Sequence, residues 1–134
     1  MQLQLALVCD EAGTDELGRL DLKGVFNDLY APGFPAQHTM ALVVAIEWAH
    51  DDHGRFSFRV DLEDPNGKPA LTVDGHTDVD ARPAHQPPPR TRLIMPLEDV
   101  VFPMPGAYRF RIRIKGRTYD GPSLYLMESG PAPS

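Results

Sequence analysis

The chain has a single cysteine, Cys9, so no disulfide can form within it, and a lone thiol suits a reducing compartment. No stretch comes near the ~18 to 20 consecutive apolar residues of a membrane span. The opening MQLQLALVCDE lacks the basic segment and the sustained apolar run of a secretory signal. A cytoplasmic protein with no membrane partner is therefore expected. Serine is scarce (Ser57, Ser123, Ser129 and Ser134), and none stands in a nucleophile-elbow context. There is no glycine-rich phosphate loop, and no histidine is tied to Cys9 by motif. With no catalytic motif, a non-enzyme without a cofactor is the expectation.

A length of 134 residues is one domain, long enough to bury roughly two thirds of its unfolded surface. Hydrophobic residues at 42% and charged residues at 24% fit an ordinary globular protein. The net charge of −6 argues against nucleic acid as a partner. That charge is uneven. Gly106 to Thr118 holds five basic residues and no acid, which leaves the remaining chain near −11.

Strand periodicity dominates. Tyr108, Phe110, Ile112 and Ile114 alternate with Arg109, Arg111, Arg113 and Lys115, as on a half-buried strand. Lys115-Gly116-Arg117 turns the chain, and Thr118 to Met127 returns as a partner in which Gly121-Pro122 marks an edge or a bulge. Gln2 to Cys9 reads as a first strand with Leu3, Leu5, Leu7 and Cys9 on one apolar face, followed by an acidic surface loop from Asp10 to Gly18. Arg19 to Tyr30 resumes the alternation, with a bulge at Gly24. Thr39 to Ala49 is the most apolar segment, and its β-branched run predicts a central strand covered on both sides. Arg55 to Asp64 puts Phe56, Phe58, Val60 and Leu62 inward, and Asp64-Pro65-Asn66-Gly67-Lys68 is a hairpin turn into Ala70 to Val79. Pro87-Pro88-Pro89 belongs to an irregular connection. Thr91 to Leu97 predicts a short strand, and Glu98 to Pro105 a loop with Val101 and Phe102 tucked beneath it.

Seven to eight short strands joined by turn chemistry predict an all-β, two-sheet antiparallel β-sandwich of immunoglobulin-like layout. Residues 1–128 form the single domain, and residues 129–134, SGPAPS, a flexible tail. Pro105-Gly106-Ala107-Tyr108 also matches, loosely, the tyrosine corner of such sandwiches.

Cys9, Asp10, Gly18, Leu20, Leu22, Gly24, Phe26, Ala31, Pro32, Phe34 and Pro35 carry a family pattern. In this pattern a first strand ends in Cys-Asp, a Leu-x-Gly-x-Phe segment follows, and Ala-Pro-x-Phe-Pro closes it. On these positions the chain resembles an uncharacterised family of small bacterial proteins. The Asp64 to Lys68 turn and Gly106-Ala107-Tyr108 extend the likeness along nearly the whole domain, while Asp21 stands where the pattern often has asparagine. The resemblance implies a sandwich fold and a bacterial origin, and brings no activity or catalytic residues.

Four constellations are candidates for function. The basic ridge Arg109, Arg111, Arg113, Lys115 and Arg117 would track an acidic partner, or be a solvated face balanced by Asp61 and Glu63 on a neighbouring strand. It lacks the interleaved aromatics of a single-strand nucleic-acid binder. Tyr30, Pro32 and Phe34 offer an aromatic contact loop, or Phe26 and Phe34 plug the open end of the sandwich. Asp74, His76, Asp78 and Asp80, alternate positions on one face with His85 nearby, are oxygen and imidazole donors for a divalent cation. Next-but-one strand residues lie ~6.5 to 7 Å apart, so the Asp51-Asp52-His53 turn would have to complete the site. Cys9 shares a face with Leu5 and Leu7, which favours an inert buried thiol. The expected role is a non-catalytic interaction or accessory module whose partner is another protein or a second copy of itself. The alternative is a small metal- or ligand-binding module.

Overall fold

The structure, a computed structural model, describes residues 1–129. Among these there are nine strands and no helix: β1 (Gln2–Thr14), β2 (Leu20–Val25), β3 (Asp28–Ala31), β4 (Ala36–Glu47), β5 (Gly54–Glu63), β6 (Pro69–Val79), β7 (Arg90–Phe102), β8 (Gly106–Ile114) and β9 (Arg117–Glu128). They form two facing sheets, ordered β2-β1-β4-β7 and β3-β9-β8-β5-β6. All pairings are antiparallel except β3 with β9. The central β4·β7 and β5·β8·β9 pairings, on opposite sheets, give the immunoglobulin-like layout.

Where seven or eight strands are expected, nine form, because the segment from Arg19 to Tyr30 is divided between the sheets. Gly24, at φ +67, reaches a conformation that side chains other than glycine's disfavour. Phe26 N–H still donates to Val8 O of β1 (3.1 Å), whereas Asn27 O already accepts from Tyr125 N of β9 (2.8 Å). Two residues thus carry the chain from one sheet to the other.

β4 is the strand the apolar run predicts. Met40, Leu42, Val44 and Ile46 face the main core between the sheets, and Trp48 follows on the same side. Ala41 and Val43 face outward into a second, smaller cluster. The first strand differs from its sequence pattern. A register irregularity between Leu3 and Leu5 flips the phase, so Leu3, Ala6 and Val8 meet the main core while Leu5, Leu7 and Cys9 join the outer cluster. The expected loop from Asp10 is also strand as far as Thr14. The Asp15 carboxylate closes the hairpin by accepting from the N–H groups of Leu17 and Arg19, both at 2.9 Å. This hairpin curls the four-stranded sheet until Gly18 O accepts from Arg92 on β7 at 2.5 Å, which closes the outer cluster over Cys9. Burial, with Asp10 as a secondary charge effect, raises the thiol's pKa, consistent with an inert group.

β7 likewise runs on through the expected loop to Phe102. Asp99, at φ +51, makes a bulge whose N–H donates to Thr39 Oγ1 (3.0 Å), so the inward series passes from Leu97 to Val100 and Phe102. The tyrosine corner is present. Tyr108 O–H donates to Met104 O (2.7 Å) and accepts from Met104 N–H (3.2 Å), while its ring meets Phe102 edge-on at 5.0 Å. Burial pushes the Tyr108 phenol pKa up. Tyr108→Phe keeps the ring and loses both bonds, and is expected to lower stability by about 1–2 kcal/mol in urea denaturation. An unchanged midpoint would mean that the hydroxyl does not pin the corner.

The expected flexible tail falls, from residue 130 onward, outside the described residues. Ser129 N–H donates to Ala31 O at 2.8 Å.

Candidate functional site: the outer face of the five-stranded sheet

Period-2 alternation places the functional candidates of β8 on one face, since its apolar partners Tyr108, Phe110, Ile112 and Ile114 are all buried. Register then decides which charges meet. Arg109 lies opposite Glu63, Arg111 opposite Asp61, and Arg113 opposite Arg59. On the other side Arg111 faces Asp120. The Arg111 guanidinium is engaged twice, with Glu63 at 3.4 Å and with Asp120. Arg59 pairs with Asp61 (3.4 Å), which also accepts from Thr72 Oγ1 (2.6 Å). Glu63 of β5 and Asp120 of β9 therefore balance the middle of the ridge. They leave Arg109 and Arg113 without an ion-pair partner among the described residues.

The ridge is shorter than its sequence suggests. Lys115 and Gly116 are the two residues of a hairpin turn with φ +54 and +70, the left-handed pair that such turns require. Lys115 is held there by Asp52 at 3.0 Å and lies 5.6 Å above the Phe56 ring. Arg117 does not extend the ridge. It belongs to β9 opposite Ile114, and lines a depression with Met1 and Tyr119. The hydrogen bond from Lys115, aided by one from Ala49 N–H, holds the Asp52 carboxyl below the usual carboxylate range. A depressed folded pKa contributes stability above the unfolded value and loses it as pH falls through the folded one. Wild type is thus expected to lose about 0.2–1 kcal/mol more than Asp52→Asn between pH 6 and pH 3, measured as urea midpoints. Parallel pH profiles would contradict the pairing.

The remaining candidates separate. Tyr30 on β3 is 67% exposed, and Pro32 is exposed. Phe34 and Phe26 are half-buried against the main core, as plugs of the sandwich would be, and Phe34 is less exposed than Tyr30 and Pro32. Asp74, His76 and Asp78 do point outward on β6, but they face Arg59, Ser57 and Arg55 in turn, and Asp78 pairs with Arg55 at 3.3 Å. The Asp51-Asp52-His53 turn lies at the same end, beside the Gly54–Val79 pair, with Asp52 already committed to Lys115. Among the described residues no group of three or more His, Cys, Asp or Glu side chains is placed to hold a metal ion. Nor is any helix there long and apolar enough to cross a membrane.

One site residue escapes the sequence reading. Tyr125 lies between the inward Leu124 and Leu126, so its outward direction is legible once β9 is in phase, and it is 50% exposed. It stands opposite Ala107, on the same outer face as Tyr30. Small Ala107 and Ser123 leave a depression of about 270 Å3 between Tyr125 and Pro65 of the β5–β6 turn, with Arg109 on its lining. Of the charged residues there, Glu63 is bound to Arg111, and Asp64 accepts from Asn66 N–H (2.8 Å) and Lys68 N–H (2.9 Å) within its own turn. Arg109 is the charged side chain there with no ion-pair partner among the described residues.

A family profile, DUF6941, described as a family of unknown function, matches residues 4–126. The chain belongs to that family. No curated protein matches it. The matched span takes in all of β2 to β8 and most of β1 and β9, so the outer face of the five-stranded sheet lies within the DUF6941 domain.

Proposed function

We propose that this DUF6941 domain is a non-catalytic recognition module of the bacterial cytoplasm, binding another protein through the outer face of β3, β9, β8 and β5. The observation that carries this reading is the pair Tyr30 and Tyr125, 67% and 50% exposed on the same face as Arg109 and Arg113, which have no ion-pair partner among the described residues. Tyrosine and arginine are residue types that anchor interfaces, tyrosine through large area at small entropic cost and arginine through its directed donors. A sheet anchored by buried Tyr108, Phe110 and Ile112 presents these side chains on one face before a partner arrives. The buried thiol of Cys9 and the absence of a second cysteine support a reducing compartment.

The test is affinity purification from the native host with wild type and with Tyr30→Ala/Tyr125→Ala. Both substitutions are at exposed positions, so the fold is expected to survive them, as circular dichroism will report. The double variant should weaken partner binding by about 10- to 100-fold, the combined effect of two interface anchors. Equal recovery of the partner by both proteins, or a wild type that captures none, removes this face from the account.

A further inference from the structure

Arg113 and Arg59 lie directly opposite each other in the β5–β8 pair. Like charges at such positions destabilise a sheet, and nothing in the packing demands them, since both side chains are exposed. Asp61 and, across β6, Asp74 moderate Arg59, but Arg113 has no ion-pair partner among the described residues. Together with the Lys115-Gly116 turn and with Asp74 on the Arg59 side, these arginines line a depression of about 230 Å3. A local feature that weakens the free domain is understandable where a ligand relieves it. The second free cation, Arg109, is four residues away on the same strand, about 13 Å at strand spacing. Arg111, between them, is already neutralised by Glu63 and Asp120. The outer face thus offers two guanidinium forks without an ion-pair partner among the described residues, one at each end of a neutral middle. Beyond the Arg109 fork stands the apolar wall of Tyr125.

We propose that the partner presents an extended acidic segment along β8, with two carboxylates about four residues apart that seat on Arg109 and on the Arg113–Arg59 pair, and an apolar side chain against Tyr125. The proposal rests on the recognition reading above and adds the chemistry of the partner. Guanidinium forks match carboxylates in two parallel hydrogen bonds, so geometry as well as charge selects the ligand. On this face Arg109 and Arg113, without an ion-pair partner among the described residues, are the cations that an acidic segment meets.

Two measurements test it. The first needs no partner. Arg113→Thr removes the like-charge opposition, and is expected to raise the melting temperature by about 1–4 °C. A clear fall would show that Arg113 is structural and would overturn the proposal. In the second, a random twelve-residue peptide library is panned against the full chain, and recovered peptides are measured on variants. Peptides with two Asp or Glu residues four apart should be enriched. They should bind Arg113→Gln and Arg109→Gln at least 10-fold more weakly, while Arg117→Gln, outside the ridge, binds as wild type. Enriched peptides without acids, or an Arg117→Gln loss as large as the others, contradict it. So does an empty selection. Peptides lost by Tyr30→Ala/Tyr125→Ala but retained by both ridge variants leave the recognition face standing and refute its acidic ligand. Binding of a ten-nucleotide single-stranded DNA that depends on Arg113 would replace the peptide by a nucleic acid, and refute it too.

Discussion

Phe110→Ala is expected to lower the unfolding free energy by about 3–5 kcal/mol, the range for a buried aromatic deleted from a core. Phe110 has no exposed surface and faces inward from β8, the strand that presents Arg109 and Arg111 outward. The site it vacates has little means of collapse. Opposite it, β9 makes a bulge: Arg109 pairs with Ser123 and Arg111 with Asp120, so Gly121 and Pro122 together face Phe110. A Cβ on Gly121 would lie 2.8 Å from the Phe110 Cβ and 3.2 Å from its carbonyl oxygen, which shows how closely the two backbones already approach. Urea denaturation followed by tryptophan fluorescence reads the loss, and a slope equal to wild type will show that the unfolded state is unchanged. A loss below about 1 kcal/mol would mean that the sheets are not joined through this ring.

Trp48→Ala is expected to match it, at about 3–5 kcal/mol. Trp48 is 2% exposed and ties three strands at one end of the sandwich. Its ring stacks on Phe56 of β5 at 4.5 Å, its Nε1–H donates to Thr91 Oγ1 of β7 at 2.8 Å, and it directly follows β4. Trp48→Phe separates these contributions. It retains the stacking and loses the hydrogen bond, so it should cost about 1 kcal/mol plus the lost ring area. Circular dichroism follows both variants, because the chain has no other tryptophan. If Trp48→Phe proves as damaging as Trp48→Ala, the hydrogen bond to Thr91 outweighs the packing.

How far the sequence foretells this arrangement depends on phase. Along β4, β5 and β8 the two-residue period runs unbroken through the apolar positions, and each inward residue read from it is inward. β1 and β7 contain irregularities, at Leu3–Leu5 and at Asp99, that displace the pattern by one residue. A period of two turns a one-residue slip into a change of face, so Leu5, Leu7 and Cys9 move from the core to the outer cluster. Only Gly121-Pro122 announced its bulge in the residue types. The β2–β3 crossing displaces the pattern as well: Leu20, Leu22 and Phe26 are the covered positions before it and Leu29 and Ala31 those after it, so the phase slips by one residue where the chain changes its hydrogen-bonding partner.

The same distinction governs the site. That β8 would carry an arginine face was legible, and so were the acids of β5 that would answer it. Which arginines would be answered was not. Pairing Arg111 with Glu63 and Asp120, and setting Arg113 against Arg59, is the work of register across three strands. Tyr30 and Tyr125 lie 95 positions apart in the chain and share a face through the one parallel pairing, β3 with β9, which no local pattern signals.

Hydrogen–deuterium exchange of the full chain, alone and bound to the partner it captures, tests the recognition face most directly. Slower exchange is expected at backbone amides of β3, β8 and β9, around Tyr30, Arg109, Arg113 and Tyr125, with the β1–β2 hairpin and the Asp80–Pro89 connection unchanged. Protection confined to that hairpin or that connection, with β8 and β9 exchanging as in the free protein, would contradict it.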